Sequence, residues 1–171
     1  GLRVAEGLRA PGSAVHLGLG TGGDRRDEIL QGLGELAGRR ADRVSVVHKA
    51  KYLRGRTMVD LEEQVRIGLA RVGVAEFDSY PTELDGLQAL AKLASEGDVL
   101  AVMVHADRVL LDEWLAEQSG TVDSPRDIRR NVIVSRGGPE AAEAISDVGA
   151  NEGAPGGTAT ARRPPAPPAR G

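Results

Sequence analysis

Short runs rich in β-branched residues recur along this chain, spaced so that one helix fits between each pair. The runs are Val15–Leu19, Val44–His48, Phe77–Tyr80, Val99–His105 and Asn131–Val134. Between them the apolar period changes. Ile29, Leu33 and Leu36 share one helical face within Glu28–Ala37, and Leu61, Val65, Leu69 and Val72 share another. Leu84, Leu87, Ala91 and Ala94 form a third stripe, and Leu110, Trp114 and Leu115 a fourth. Asp60 followed by Glu63, and Thr82 followed by Asp85, have the form of N-caps with an acid in the first turn. Strands joined through single helices pair in parallel, because a parallel pair needs a crossover that a helix supplies. Val99–Val104 contains no polar residue, as expected of a central strand buried on both sides. The fold class is therefore α/β, with a Rossmann-like, mostly parallel sheet and helices on both faces.

The pattern divides the chain into a folded unit over residues 1–137 and a tail over 138–171. Six of the nine prolines follow Gly137. The closing segment TATARRPPAPPARG has polyproline character and too little apolar area to offset its ordering entropy, so a disordered Gly/Pro/Ala-rich tail is expected. At the other end, Gly1–Ala10 reads as a helix carrying Leu2, Ala5 and Leu8 on one side, with no strand before it. A doubly wound domain opens with a strand, so the pattern predicts a fragment whose first strand has been lost.

Composition narrows the chemistry. The chain has 22 basic and 25 acidic residues and a net charge of −3, without the basic excess of a nucleic-acid binder. Cysteine is absent, which removes disulfides, thiolate metal sites and cysteine nucleophiles together. His16, His48 and His105 lie far apart and form no metal-ligand pair, so no metal site is expected. No apolar run approaches the roughly 18–20 residues that span a bilayer, and no signal-peptide core is present. The expected setting is the cytoplasm, with neither membrane nor nucleic acid as a partner.

Three charged segments stand out, each following a predicted strand. GLGTGGDRRDE places Gly18, Gly20 and Gly23 in a GxGxxG pattern between a strand and a helix, where backbone amides can cradle phosphate. Gly20, Gly22 and Gly23 are the candidate cofactor-binding glycines. Against that role, Asp24 would repel a pyrophosphate, and the second strand ends in His48 and Lys49 where a ribose-binding acid is wanted. A tight turn with Asp24 capping the next helix remains the other reading. Arg25 and Arg26 oppose the helix dipole and need compensation, from Asp27 and Glu28 or from an anionic ligand. The second segment, KAKYLRGR, brings Lys49, Lys51, Arg54 and Arg56 to the carboxyl end of the second strand, where ligands bind in open α/β sheets. The third contributes His105, Asp107 and Arg108 after the fourth strand. Parallel topology predicts that all three gather on one rim.

Taken in order, these segments resemble the C-terminal domain of the Mur ligase superfamily, closest to its cyanophycin synthetase-like members. GDRRDE is similar to the family's signature at a helix start, KYLRGR to the loop after the next strand, and VMVHADR to a later strand end. GLRVAEGLRAPGSAVHLGLG resembles the helix and strand that follow the family's Asn-Pro turn. The resemblance covers about residues 1–118 and is weaker as far as Arg136. It implies an ATP-dependent, ADP-forming ligase that joins a carboxylate to an amine, such as an amino acid. In that family a central P-loop domain binds ATP and magnesium and forms an acyl phosphate, and the C-terminal domain closes over it to place the incoming substrate. The resemblance would make Asp24, Arg25, Arg26, Asp27, Lys51, Arg54, Arg56, His105, Asp107 and Arg108 the substrate- or nucleotide-facing residues. The cations would act by electrostatic placement, and Asp24 and Asp27 by organising their loop.

The chain departs from the family in having no GxxxxGK[ST], so ATP and Mg²⁺ belong to a parent enzyme and none would be bound stably by this chain alone. The expected partners are the missing ATPase domain and the amino-acid and carboxylate substrates. Two other readings stay open. One is a stand-alone nucleotide-binding or regulatory module, and the other is a non-catalytic interaction scaffold.

Overall fold

A computed structural model describes residues 1–137. The tail expected over 138–171 lies outside the described residues. The elements are α1 (Leu2–Leu8), β1 (Val15–Leu19), α2 (Asp27–Arg40), β2 (Arg43–Val47), a 3₁₀ turn (Ala50–Tyr52), α3 (Met58–Ala70), β3 (Asp78–Tyr80), α4 (Glu83–Leu93), β4 (Val99–Val102), α5 (Arg108–Glu117) and α6 (Pro125–Gly137). The four strands form one sheet in the order β3-β2-β1-β4, and every pairing is parallel. This is the α/β architecture read from the sequence.

Pleating sorts the side chains onto two faces. Leu17 and Leu19 of β1 and Val44 and Val46 of β2 pack with Ala37 of α2 and Val65 and Leu69 of α3, with Leu2 of α1 against the same cluster. Helix α4 covers the opposite face, contacting β1, β2 and β4. There Gly86 lies so close to Val47 that a Cβ on it would meet Val47 Cγ1 at 2.2 Å. The order reverses direction between β1 and β4, and that reversal opens the crevice used by ligands in such sheets.

Two sequence expectations are corrected. Asn131–Val134 is not a fifth strand but the middle of α6. Pro125 stands at the start of that helix, and the Asp127 N–H donates to Ser124 Oγ at 3.2 Å, so a helix start outweighs the β propensity of Val132, Ile133 and Val134. Secondly, β4 covers only Val99–Val102 and, among the described residues, pairs with β1 alone, which places it at the sheet's edge. Its unbroken apolar run follows from cover on its two faces, by α1 and α4, rather than from a central position. Helix capping differs in detail as well. Thr57, not Asp60, caps α3 by accepting the Asp60 N–H, whereas Thr82 caps α4 as expected.

The amino ends of β1 and β4 are tied by one carboxylate. Asp98 accepts the Ala14 N–H at 2.7 Å and the Ser95 N–H at 2.9 Å, and it pairs with His16 Nε2 at 3.0 Å. These contacts, the amides foremost, hold its carboxyl down to about 2. A depressed carboxyl stabilises the fold above its unfolded value of about 3.9 and loses that contribution as pH falls toward 2. Asp98→Asn should therefore be less stable than wild type at neutral pH, with the two unfolding curves converging between about pH 4 and pH 2.

Helices α2 and α3 touch backbone to backbone. A Cβ on Gly68 would stand 1.9 Å from Gln31 O, and one on Gly34 would stand 2.4 Å from Val65 O. Gly68→Ala should cost about 1–3 kcal/mol in urea unfolding, because neither backbone can yield. Gly32→Ala, where an added Cβ meets nothing within 4 Å, should instead stabilise by up to about 1 kcal/mol through helix propensity.

Candidate functional site at the carboxyl rim of the sheet

Because all four strands run the same way, the loops that follow them open on one rim. A cavity of about 410 Å³ lies there. The first loop contributes Gly20, Thr21, Gly22, Asp24 and Arg25 to its wall, the second Lys49, Tyr52 and Arg54, and the fourth strand's end Met103 and His105. Ile29 and Leu33 of α2 supply an apolar side. The three segments singled out in the sequence thus meet at one place.

The first two loops are joined directly. The Gly23 N–H donates to Tyr52 O at 2.8 Å, and a Cβ on Gly23 would stand only 1.8 Å from Leu53 O, so no larger residue fits. Arg56 fastens the same seam. Its guanidinium donates to Arg25 O at 3.0 Å and to Asp27 Oδ1 at 2.7 Å, and it also bonds Asp60. Arg56 and Asp27 therefore work on each other, and neither lines the cavity. Charge-assisted bonds to both carboxylates hold the Arg56 pKa above its ordinary value. Arg54 stands apart from this seam. Its φ of +51° precedes Gly55 at +88°, a left-handed pair that turns the chain sharply, and the residue is exposed on the cavity wall.

The other candidates divide. Arg26 is the N-cap residue of α2 and makes no side-chain capping bond, so the Asp24 cap that the sequence offered as the alternative reading is not formed. Asp24 is instead exposed on the cavity wall, 4.0 Å from Arg25 Nε. Lys51 is exposed on the 3₁₀ turn and is not among the lining residues. Asp107 precedes α5 and accepts the Glu83 N–H at 3.3 Å. Arg108 is 83% exposed, pairs with Asp112 at 3.5 Å and lies off the cavity. Of the glycines, Gly20 gives way to Lys49, whose Cε would be 2.7 Å from a Cβ there.

Two residues outside the substrate-facing set implied by the resemblance organise the site. Glu83, the first residue of α4, has a side chain 0% exposed. Its carboxylate accepts the N–H groups of His105 at 2.7 Å, Ala106 at 3.0 Å and Asp107 at 2.9 Å, which shapes the turn from β4 into α5. Lys49, 1% exposed, places Nζ 3.3 Å from Glu83 Oε1 and in contact with His105 Nδ1. Burial holds the Lys49 ammonium below its ordinary value, with Glu83 opposing that shift. On Glu83 burial acts the other way and raises the carboxyl, but the three amides and Lys49 outweigh it and keep it below its ordinary value. Glu83 was invisible in the sequence because an acid in a helix's first turn is ordinary. Its amide partners lie 22 or more residues downstream, and Lys49 lies well upstream.

His48, where a dinucleotide site would place an acid, is buried and faces away from such a role. Its Nε2 meets Glu62 Oε1 at 2.5 Å and Ser79 Oγ at 2.9 Å, tying β2 to α3 and β3. Among the described residues, no group of three or more His, Asp and Glu is arranged to hold a metal ion, and no helix is long and apolar enough to cross a membrane. Comparison with protein-family models and with curated proteins finds no match to this chain.

Glu83→Ala would strand the Lys49 charge and three amides in a buried place. The expected loss is about 3–5 kcal/mol in chemical denaturation, against no more than about 1 kcal/mol for removing the exposed Arg108–Asp112 pair.

Proposed function

We propose that this chain is the C-terminal, substrate-positioning domain of an ATP-dependent, ADP-forming ligase that joins a carboxylate to an amine, of the Mur and cyanophycin synthetase type. The observation that carries the reading is the meeting of GDRRDE, KYLRGR and VMVHADR around one cavity at the carboxyl rim. These are the three segments whose combination resembles that family.

In this reading a partner ATPase domain would hold ATP and Mg²⁺, which would supply the first substrate as an acyl phosphate. The amine would then attack the acyl carbon, forming a C–N bond as the C–O bond to phosphate breaks, with the amine's proton passing to the departing phosphate or to solvent. This chain's residues bind and orient. Arg25 and Arg54, exposed on the cavity wall, meet an anionic group by charge-assisted hydrogen bonds. Asp24 on the same wall suits a cationic ammonium and disfavours a polyphosphate. Ile29, Leu33 and Met103 give an apolar wall that helps to exclude water once the neighbouring domain closes. Rigid placement lowers the entropic barrier to the bimolecular step.

A nucleotide-binding module is less well supported. One amide of its glycine loop, that of Gly23, already donates to Tyr52 O, and Asp24 borders the cavity. The scaffold reading leaves the convergence of cations and His105 on a concave site without a purpose.

The test is a ligation assay in which the ATPase domain is supplied. Arg54→Ala should lower kcat/KM by roughly 10- to 100-fold, the equivalent of one lost charge-assisted hydrogen bond, with the unfolding midpoint unchanged. Arg56 is unsuited to that test, since its removal opens the seam between loops. The chain assayed alone should release no ADP. Full activity of Arg54→Ala, or turnover by the chain alone, would refute the assignment.

A further inference from the structure

The contact between Lys49 and His105 joins the segment after β2 to the segment after β4, and the surroundings of both residues converge on it. Gly20 leaves the lane through which the Lys49 side chain runs. Glu83, with no exposure, anchors the ammonium at one end. The same carboxylate fixes the backbone of His105 through the N–H bond at 2.7 Å. One buried acid therefore sets the positions of both the ammonium and the imidazole. His105 itself is exposed and lines the cavity with Arg25, Arg54 and Asp24.

An ammonium carries three donors and no acceptor. Nδ1 of His105 faces Lys49 Nζ, and with the Glu83 carboxylate 3.3 Å away favouring the ammonium form, Nδ1 is assigned as the accepting nitrogen. The ring proton then resides on Nε2. A ring protonated on Nδ1 would set one donor against another across this contact, and a doubly protonated ring would add like-charge repulsion. The charged and titratable groups facing this pair are Glu83 from α4, Asp24, Arg25 and Arg54 from the two glycine- and arginine-bearing loops, and Tyr52 from the 3₁₀ turn.

We infer that Lys49 is a positioning residue that holds a neutral His105 in its Nε2–H tautomer, so that the imidazole presents a hydrogen-bond donor at the cavity rather than a base. The inference deepens the proposed function, on which it rests only for the identity of what His105 meets. In a ligase site it makes His105 a donor to an anionic oxygen, and it withholds the ring from deprotonating the amine. The role of Nδ1 orientation is the usual one for histidine, where the group bonded to one nitrogen decides the chemistry of the other.

The experiment is a long-range ¹H–¹⁵N correlation spectrum of the 171-residue chain, with the His105 signals assigned by their loss in His105→Gln. Wild-type protein at neutral pH should show His105 as the Nε2–H tautomer alone. Lys49→Met should abolish that exclusivity and give the exchange-averaged signature of a free imidazole, while the His16 and His48 signals stay in place. A wild-type ring protonated on Nδ1, or a Lys49→Met ring that keeps the exclusive Nε2–H signature, would overturn the inference. Should Lys49→Met fail to fold because Glu83 loses its counter-ion, Lys49→Met combined with Glu83→Gln removes both charges and carries the same expectation. The spectra need no ligation partner. Failure of the ligase assignment in the Arg54→Ala assay and failure of the tautomer assignment are therefore separate results.

Discussion

The rim of this domain depends on a carboxylate that water does not reach. Glu83 begins α4 and spends its two oxygens on three successive amides after β4 and on the Lys49 ammonium. An acid so buried is tolerable only when paired and fully hydrogen-bonded, and both conditions hold here. In meeting them Glu83 draws together the end of β2, the start of α4 and the turn into α5. The cavity wall is assembled as a by-product of satisfying one charge.

Much of the fold was legible because parallel α/β order leaves a strong trace. β-Branched runs alternating with helical stripes located β1, β2, β3 and β4, and parallel pairing then required their carboxyl ends to share a rim. Where the trace misled, the cause is local. Val132, Ile133 and Val134 have strand propensity, but Ser124, Pro125 and Asp127 start a helix that carries through them. Val99–Val104 was apolar enough for a central strand, yet apolarity reports cover on the two faces and is silent on hydrogen-bonded neighbours.

The site was legible in outline only. Arg25, Arg54, Asp24 and His105 lie on the cavity as the loops suggested, whereas Arg56 and Asp27 satisfy each other beside it. Sequence spacing cannot tell a cation held by two carboxylates from one left facing solvent, because only Asp60 is a near neighbour of Arg56 and Asp27 lies 29 residues away. Glu83 and Lys49 were missed as organisers for a related reason. A buried ion pair is defined by exposure and distance, and neither is written in a local pattern.

The close approach of α2 and α3 has a mechanical consequence. With glycines at the crossing, the two helices are locked against each other, and the two loops at their amino ends are further stapled by Arg56. That half of the rim is held by direct backbone contact and by one guanidinium. The other half hangs on α5, in which Leu111 alone is buried, and on the turn that Glu83 grips. The two halves of the rim are thus held by different means, one by a helix crossing too tight for any side chain and the other by a single buried carboxylate.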